Sequence, residues 1–205
     1  MKNINDIIKN VMSQGFQNHY VDIINTTEDV ILHEENDDGL SKTTPYDITV
    51  KIPSSMNEDE LVLFKNLESF KNELLFLGHT KPKDSDHILV NITQKKAYIF
   101  ELKNTNSCSN NEIGQQLLSG KHWLYFFLFL LNADSERNIT DEISLLNEWQ
   151  IYLTKIKYAN RPHLITRHSA SKSDYFKYIE SIINDLNGSS IHLAKLKSYT
   201  PGSQK

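Results

Sequence analysis

Two acids and a lysine in one short stretch could carry chemistry. Residues 85–103 read SDHILVNITQKKAYIFELK, with Asp86 near the start and Glu101-Leu102-Lys103 at the end. The runs His87 to Thr93 and Ala97 to Lys103 are of β type and flank the polar Gln94 and Lys95, which predicts a hairpin. With Gln94 and Lys95 at the centre of the turn, partner numbers sum to 189, which sets Asp86 opposite Lys103 and Ile88 opposite Glu101. The two-residue period of a strand then places Asp86, Glu101 and Lys103 on one face and Leu102 on the other. A register shifted by two would bring Asp84 in for Asp86. Convergent carboxylates repel unless something positive lies between them, and a hard divalent cation, Mg²⁺ or Mn²⁺, held by carboxylates and waters meets that need. Such an ion acidifies a bound water and screens a phosphate, while a nearby lysine orients the water or stabilises developing charge. This is equipment for phosphodiester hydrolysis, in a chain without a GxSxG elbow, Walker loop or HExxH helix.

Asp86 opening one strand, the Glu101-Leu102-Lys103 triplet closing the next, and a following helix with Gln115, Gln116 and Lys121 together resemble the PD-(D/E)xK nuclease superfamily, which includes many restriction endonucleases and Holliday-junction resolvases. The resemblance covers Asn57 to about Leu131. It implies that Asp86 and Glu101 hold the metal and that Lys103 is the catalytic lysine. The superfamily often adds an acid from the helix before the hairpin, for which Glu73 and Glu68 are candidates, and polar residues from the helix after it, for which Gln116 and Lys121 are candidates. The chain has Ser85 where the motif has proline, and it lacks the Gln-x-x-x-Tyr spacing of RecB-like members.

The surrounding elements must position these residues. Ile4, Ile7, Ile8 and Val11 have helical spacing, with Gly15 as the stop. Val30 to His33 and Tyr46 to Ile52 read as strands around an acidic loop. Asn57 and Glu60 form a capping-box signal, and Leu61, Phe64, Leu67, Phe70, Leu74 and Leu77 follow at helical spacing up to Gly78, predicting one amphipathic helix. A long buried helix is expected from about Glu112 to Leu131. Strand-like alternation begins at Ile151, and His163 to Arg167 reads as a further short strand. A helix capped by Ser173 and carrying Phe176, Ile179, Ile183 and Leu186 should follow, then a last strand over Ile191 to Tyr199. The expected fold is α/β, a restriction-endonuclease-like mixed central sheet flanked by the Asn57 and Glu112 helices, in a single domain over residues 1–205.

The chain has 205 residues, of which 39% are hydrophobic and 23% charged, which suits one globular domain. Its longest apolar run, Leu124 to Leu131, is far below the roughly 20 residues of a membrane span, and residues 1–15 lack a signal peptide's apolar stretch. With Cys108 the sole cysteine, no intrachain disulfide is possible, and the expected compartment is the cytoplasm. The net charge of −4 hides an asymmetry. Residues 1–149 hold 13 Lys/Arg against 23 Asp/Glu, or −10, and residues 150–205 hold 9 against 3, or +6. Lys155, Lys157, Lys195 and Lys197 alternate on strand-like segments, where they could line a DNA groove or form a solvated face. The acidic body weakens unaided DNA binding, which points to a homodimer or a partner subunit. Low Gly with high Asn, Ile and Lys suggests an AT-rich bacterial source, and the resemblance then implies an endodeoxyribonuclease of a restriction or anti-phage defence system. The alternatives are a non-catalytic subunit that keeps the nuclease fold to bind nucleic acid or protein, and a protein with no nucleic-acid role whose C-terminal lysines meet an acidic partner.

Overall fold

Val62, Phe64, Ile88, Val90, Ala97 and Ile99 alternate along the chain with Leu61, Leu63, Leu89, Tyr98 and Phe100, and both sets are buried. A sheet apolar on both faces needs a covering layer on each. The computed structural model, which describes residues 3–25, 28–34, 46–74, 84–103, 109–133, 149–158, 167–172, 177–183, 190–193 and 196, supplies both. Strands β1 (Val21–Ile24), β4 (Leu61–Phe64), β5 (His87–Asn91), β6 (Lys96–Lys103), β7 (Gln150–Tyr158), β8 (Arg167–Lys172) and β9 (Lys177–Ile183) form a mixed seven-stranded sheet in the order β1-β4-β5-β6-β7-β9-β8. The strands from β1 to β6 are antiparallel, β6, β7 and β9 run parallel, and β8 is antiparallel to β9. Helices α1 (Ile4–Val11), α3 (Leu67–Glu73) and α4 (Asn110–Asn132) cover one face through Ile7, Leu67, Leu117 and Phe127. A small sheet of β2 (Val30–Glu34), β3 (Tyr46–Lys51) and β10 (Ser190–His192) covers the other through Leu32, Ile48 and Ile191. The chain is thus mixed α/β, and among the described residues no helix is long and apolar enough to cross a membrane.

Helix α4 is fixed at its start by a capping box between Ser109 and Glu112 and runs close to its expected bounds. It approaches the sheet so closely at Gly120 that an added methyl would lie 2.6 Å from Ile99 Cγ2 and nearer still to Ser85 Oγ.

Five expectations are corrected. The last strand, expected over Ile191 to Tyr199, is among the described residues only the short β10, after which the Leu196 N–H turns back to the Leu193 carbonyl. The single helix from Asn57 is instead β4 followed by α3. Leu61 to Phe64 are all buried, which leaves no solvent face for a helix, and Asn66 then takes a left-handed conformation between strand and helix. Glu60 caps at a distance, accepting the Ile4 N–H at the start of α1. The helix expected after Ser173 gives way, from Lys177, to β9, whose β-branched residues find a ladder on β7; residues 173–176 lie outside the described residues. Gly15 does not stop the first helix: α1 ends at Met12, and α2 (Gln14–Tyr20), capped by Ser13, contains Gly15. The hairpin register sums to 187, with Ile88 opposite Ile99. The favoured two-residue turns need positive φ at their first central position, whereas here Lys95, the second, has it and Gln94 does not; Asn91 Oδ1 accepts the Gln94 N–H, making a four-residue turn over residues 92–95.

A candidate active site beneath helix α4

An offset of two leaves side-chain parity unchanged, so the face predicted for the charged residues survives the change of register. Residues 97 and 99 of β6 and 151 and 153 of β7 pack on the α4 side. Glu101, Lys103 and Lys155 continue those rows toward the carboxyl ends of both strands. Asp86 enters the same end immediately before β5. Its main-chain N–H donates to the Phe100 carbonyl at 3.1 Å, and its Oδ2 accepts the Leu102 N–H at 2.5 Å.

Glu101 is fully buried and its Oε1 pairs with the Lys103 ammonium, whose side chain is 17% exposed. Directly across the parallel ladder sits Lys155, itself only 7% exposed. Lys155 therefore belongs to the interior beside Glu101 and not to a solvated groove. Burial pushes the Asp86 carboxyl up to about 6; Lys103 and the Leu102 amide pull it down, and the charges of Glu68 and Asp84 push it up. From α4, Gln116 brings an Oε1 that is buried with no hydrogen-bond partner among the described residues.

Asp84, the alternative acid, occupies a different environment. Its Oδ1 accepts from Ser119 Oγ at 2.5 Å and Trp123 Nε1 at 3.0 Å, and its Oδ2 lies 3.1 Å from Lys71 Nζ, with both charges sealed from solvent. It ties α3 and α4 to the segment leading into β5. Sequence reasoning missed Lys71, Ser119 and Trp123 in this role. The one available signal was the indole N–H of Trp123, which needs an acceptor when buried.

Of the two helix acids, Glu68 is exposed on the first turn of α3 and its charge bears on Asp86. Glu73 is exposed at the other end of α3, where it accepts the Tyr20 hydroxyl at 2.5 Å. Together with burial, the first cause, that contact pushes the tyrosine up to about 12. Lys121 Nζ lies 5.6 Å from the centre of the Tyr125 ring on its own helix. Lys157 stands opposite Lys103 in the β6–β7 register, and Lys195 and Lys197 lie outside the described residues. No family model, curated protein or solved structure matches this chain.

Among the described residues no three His, Cys, Asp or Glu side chains form a ready metal cluster. The oxygen donors gathered at the end of β6 are two carboxylates, Asp86 and Glu101, and on α4 the amide oxygen of Gln116 is buried with no hydrogen-bond partner among the described residues. That donor set is hard and suits Mg²⁺, which keeps several waters and needs only one or two carboxylates. The residues present fit such an ion.

Proposed function

We propose that the chain is a Mg²⁺-dependent nuclease of restriction-endonuclease-like fold that hydrolyses DNA phosphodiester bonds. The observation that carries this reading is the gathering of Asp86, Glu101 and Lys103 on one face at the carboxyl end of β6. A bound Mg²⁺ would supply Lewis-acid activation of water and charge neutralisation at phosphate. Asp86 and Glu101 would hold it, and Gln116 would orient a ligand or water through its free amide oxygen. Lys103 is the member of its ion pair that reaches solvent, so its ammonium is placed to meet a phosphate oxygen and the charge that grows on it as water attacks. The basic quarter of the chain supplies β7, β8 and β9, which extend the sheet from the edge of β6, so phosphate-binding charge would begin beside the site. A role within a bacterial restriction or anti-phage system, with a second copy or partner subunit helping to hold DNA, is part of the proposal.

The test is cleavage of plasmid and linear DNA with Mg²⁺ or with chelator, for the unmutated protein and for Lys103→Ala. Metal-dependent cleavage that falls by two orders of magnitude in the variant supports the assignment, and equal cleavage by the two proteins overturns it. One observation favours the second reading, a non-catalytic nuclease-fold subunit. Glu101 already pairs with Lys103, so the site is neutralised by its own residues. DNA binding with no cleavage under any divalent metal would decide for that reading.

A further inference from the structure

The first strand of the large sheet and the first strand of the small sheet are both edges: β1 pairs with β4 alone and β2 with β3 alone among the described residues. Between them lies a groove of about 600 Å³. The Lys65 N–H donates to the Tyr20 carbonyl at 2.9 Å, and hydrogen-bonded pairs alternate in an antiparallel ladder. Asp22 and Ile24 are therefore bonded to β4, whereas Val21 and Ile23 turn their main-chain groups away from it; the Val21 N–H is taken by the Gln17 carbonyl at the end of α2, which leaves the Val21 C=O and both main-chain groups of Ile23 on the edge. Exposed edges of this kind are templates for another strand unless charged or covered. Here Ile23, 43% exposed, and Ile31, 60% exposed, both line the groove, and they are two of only four exposed large hydrophobics among the described residues.

The groove's charge selects its occupant. Its lining holds Asp22, Glu28 and Asp29 and no lysine, arginine or histidine. Lys65 and Lys51 answer Asp22 and Asp29 from outside the lining, while Glu28 is exposed and makes no ion pair with a described residue. A second copy of β1 paired antiparallel would bring two Asp22 carboxylates onto neighbouring positions, where like charges repel. We propose that this groove docks an extended segment of a partner protein, with alternating aliphatic and basic side chains, by strand addition to β1. Main-chain bonds to the Val21 carbonyl and to the N–H and C=O of Ile23 give affinity, Ile23 and Ile31 take the aliphatic side chains, and Glu28 takes the basic one. The inference is independent of any nuclease activity.

The probe is a fluorescein-labelled Lys-Val-Lys-Val-Lys-Val amide, read by anisotropy against the full chain. The comparison peptides are a Glu-Val counterpart and two versions N-methylated at alternate amides, one on the valines and one on the lysines. Strand addition uses the donors of one edge of the peptide only, so one methylated version should lose about tenfold in affinity and the other should bind nearly as before. The Glu-Val peptide should also bind at least about tenfold more weakly. On the protein, Glu28→Lys and Ile31→Ser, both at exposed positions, should each weaken the basic peptide. The proposal is overturned if the basic peptide does not bind, if both methylated versions bind like the parent, or if the two protein variants bind it undiminished, which would place it elsewhere on the acidic body.

Discussion

Two acid–lysine pairs lie on the same face of the large sheet, and they are built for different ends. At Asp84 every partner comes from a helix: Lys71 from α3, Ser119 and Trp123 from α4, with neither charge of the pair reaching solvent. At Glu101 the partner is two residues along the same strand, its side chain is 17% exposed, and the neighbouring Asp86 is pushed up to about 6 while a Gln116 oxygen goes without a hydrogen bond. The first site pairs both of its charges out of solvent and holds elements together. The second is open to solvent on the Lys103 side, which is where buried charge can serve chemistry instead of packing.

That contrast can be broken by mutation, most sharply at the closed pair. Asp84→Ala leaves the Lys71 ammonium buried without its partner and should cost about 3–5 kcal/mol of unfolding free energy, measured by urea denaturation. A loss below about 1 kcal/mol would show that Asp84 does not clamp the two helices.

At the open pair the expected effect is on rate. Glu101→Gln removes one ligand charge while keeping the shape. It should abolish any Mg²⁺-induced rise in melting temperature and slow cleavage by two or more orders of magnitude, equivalent to about 3 kcal/mol. Retention of the metal-induced rise would remove Glu101 from the metal site.

Asp86 sharpens the comparison through pH. Its folded carboxyl titrates near 6 against 3.8 for an unperturbed group, so between those values the folded chain holds a proton that the unfolded chain has released. Stability contributed by the neutral form is present at low pH and is lost as pH rises through about 6. In chelator, Asp86→Asn should therefore stabilise the protein by about 3 kcal/mol at pH 7, with most of the gain gone near pH 4. A gain that is the same at both pH values would contradict the shifted titration.

The smallest effect belongs to Glu73. Exposed and bonded to Tyr20, it should tolerate Glu73→Gln within about 0.5 kcal/mol, with metal-induced stabilisation unchanged. Loss of the metal response in this variant, and not in Glu68→Gln, would make Glu73 the helix acid of the proposed metal site.

Much of the hairpin could be read from sequence because its signals are local. The β-type runs His87 to Thr93 and Ala97 to Lys103 mark two strands, and a parity argument puts Asp86, Glu101 and Lys103 on one face whichever of the two even-spaced registers holds. The pairing itself departs from expectation by two residues because the turn is set by the Asn91 side chain and by a positive φ at Lys95, neither of which a two-residue turn rule anticipates. Leu61 to Phe64 mislead for a different reason. A short apolar run suits a buried helix turn and a buried strand equally, and the partner strands decide between them.

What the sequence determined by itself is the short-range part: the long helix from about Glu112, the strand identity of β5 and β6, and the shared face of the acid pair and the lysine. Each follows from dihedral preference or side-chain period over a few residues. Only the tertiary structure decided that Lys155 is buried opposite Glu101 and not solvated, and that Asp84 belongs to Lys71, Ser119 and Trp123 while Asp86 stays with Leu102. Those partners lie between 13 and 54 residues apart in the chain. Burial and the charge a site carries are set by whichever distant elements close over it, and no local period encodes that closure.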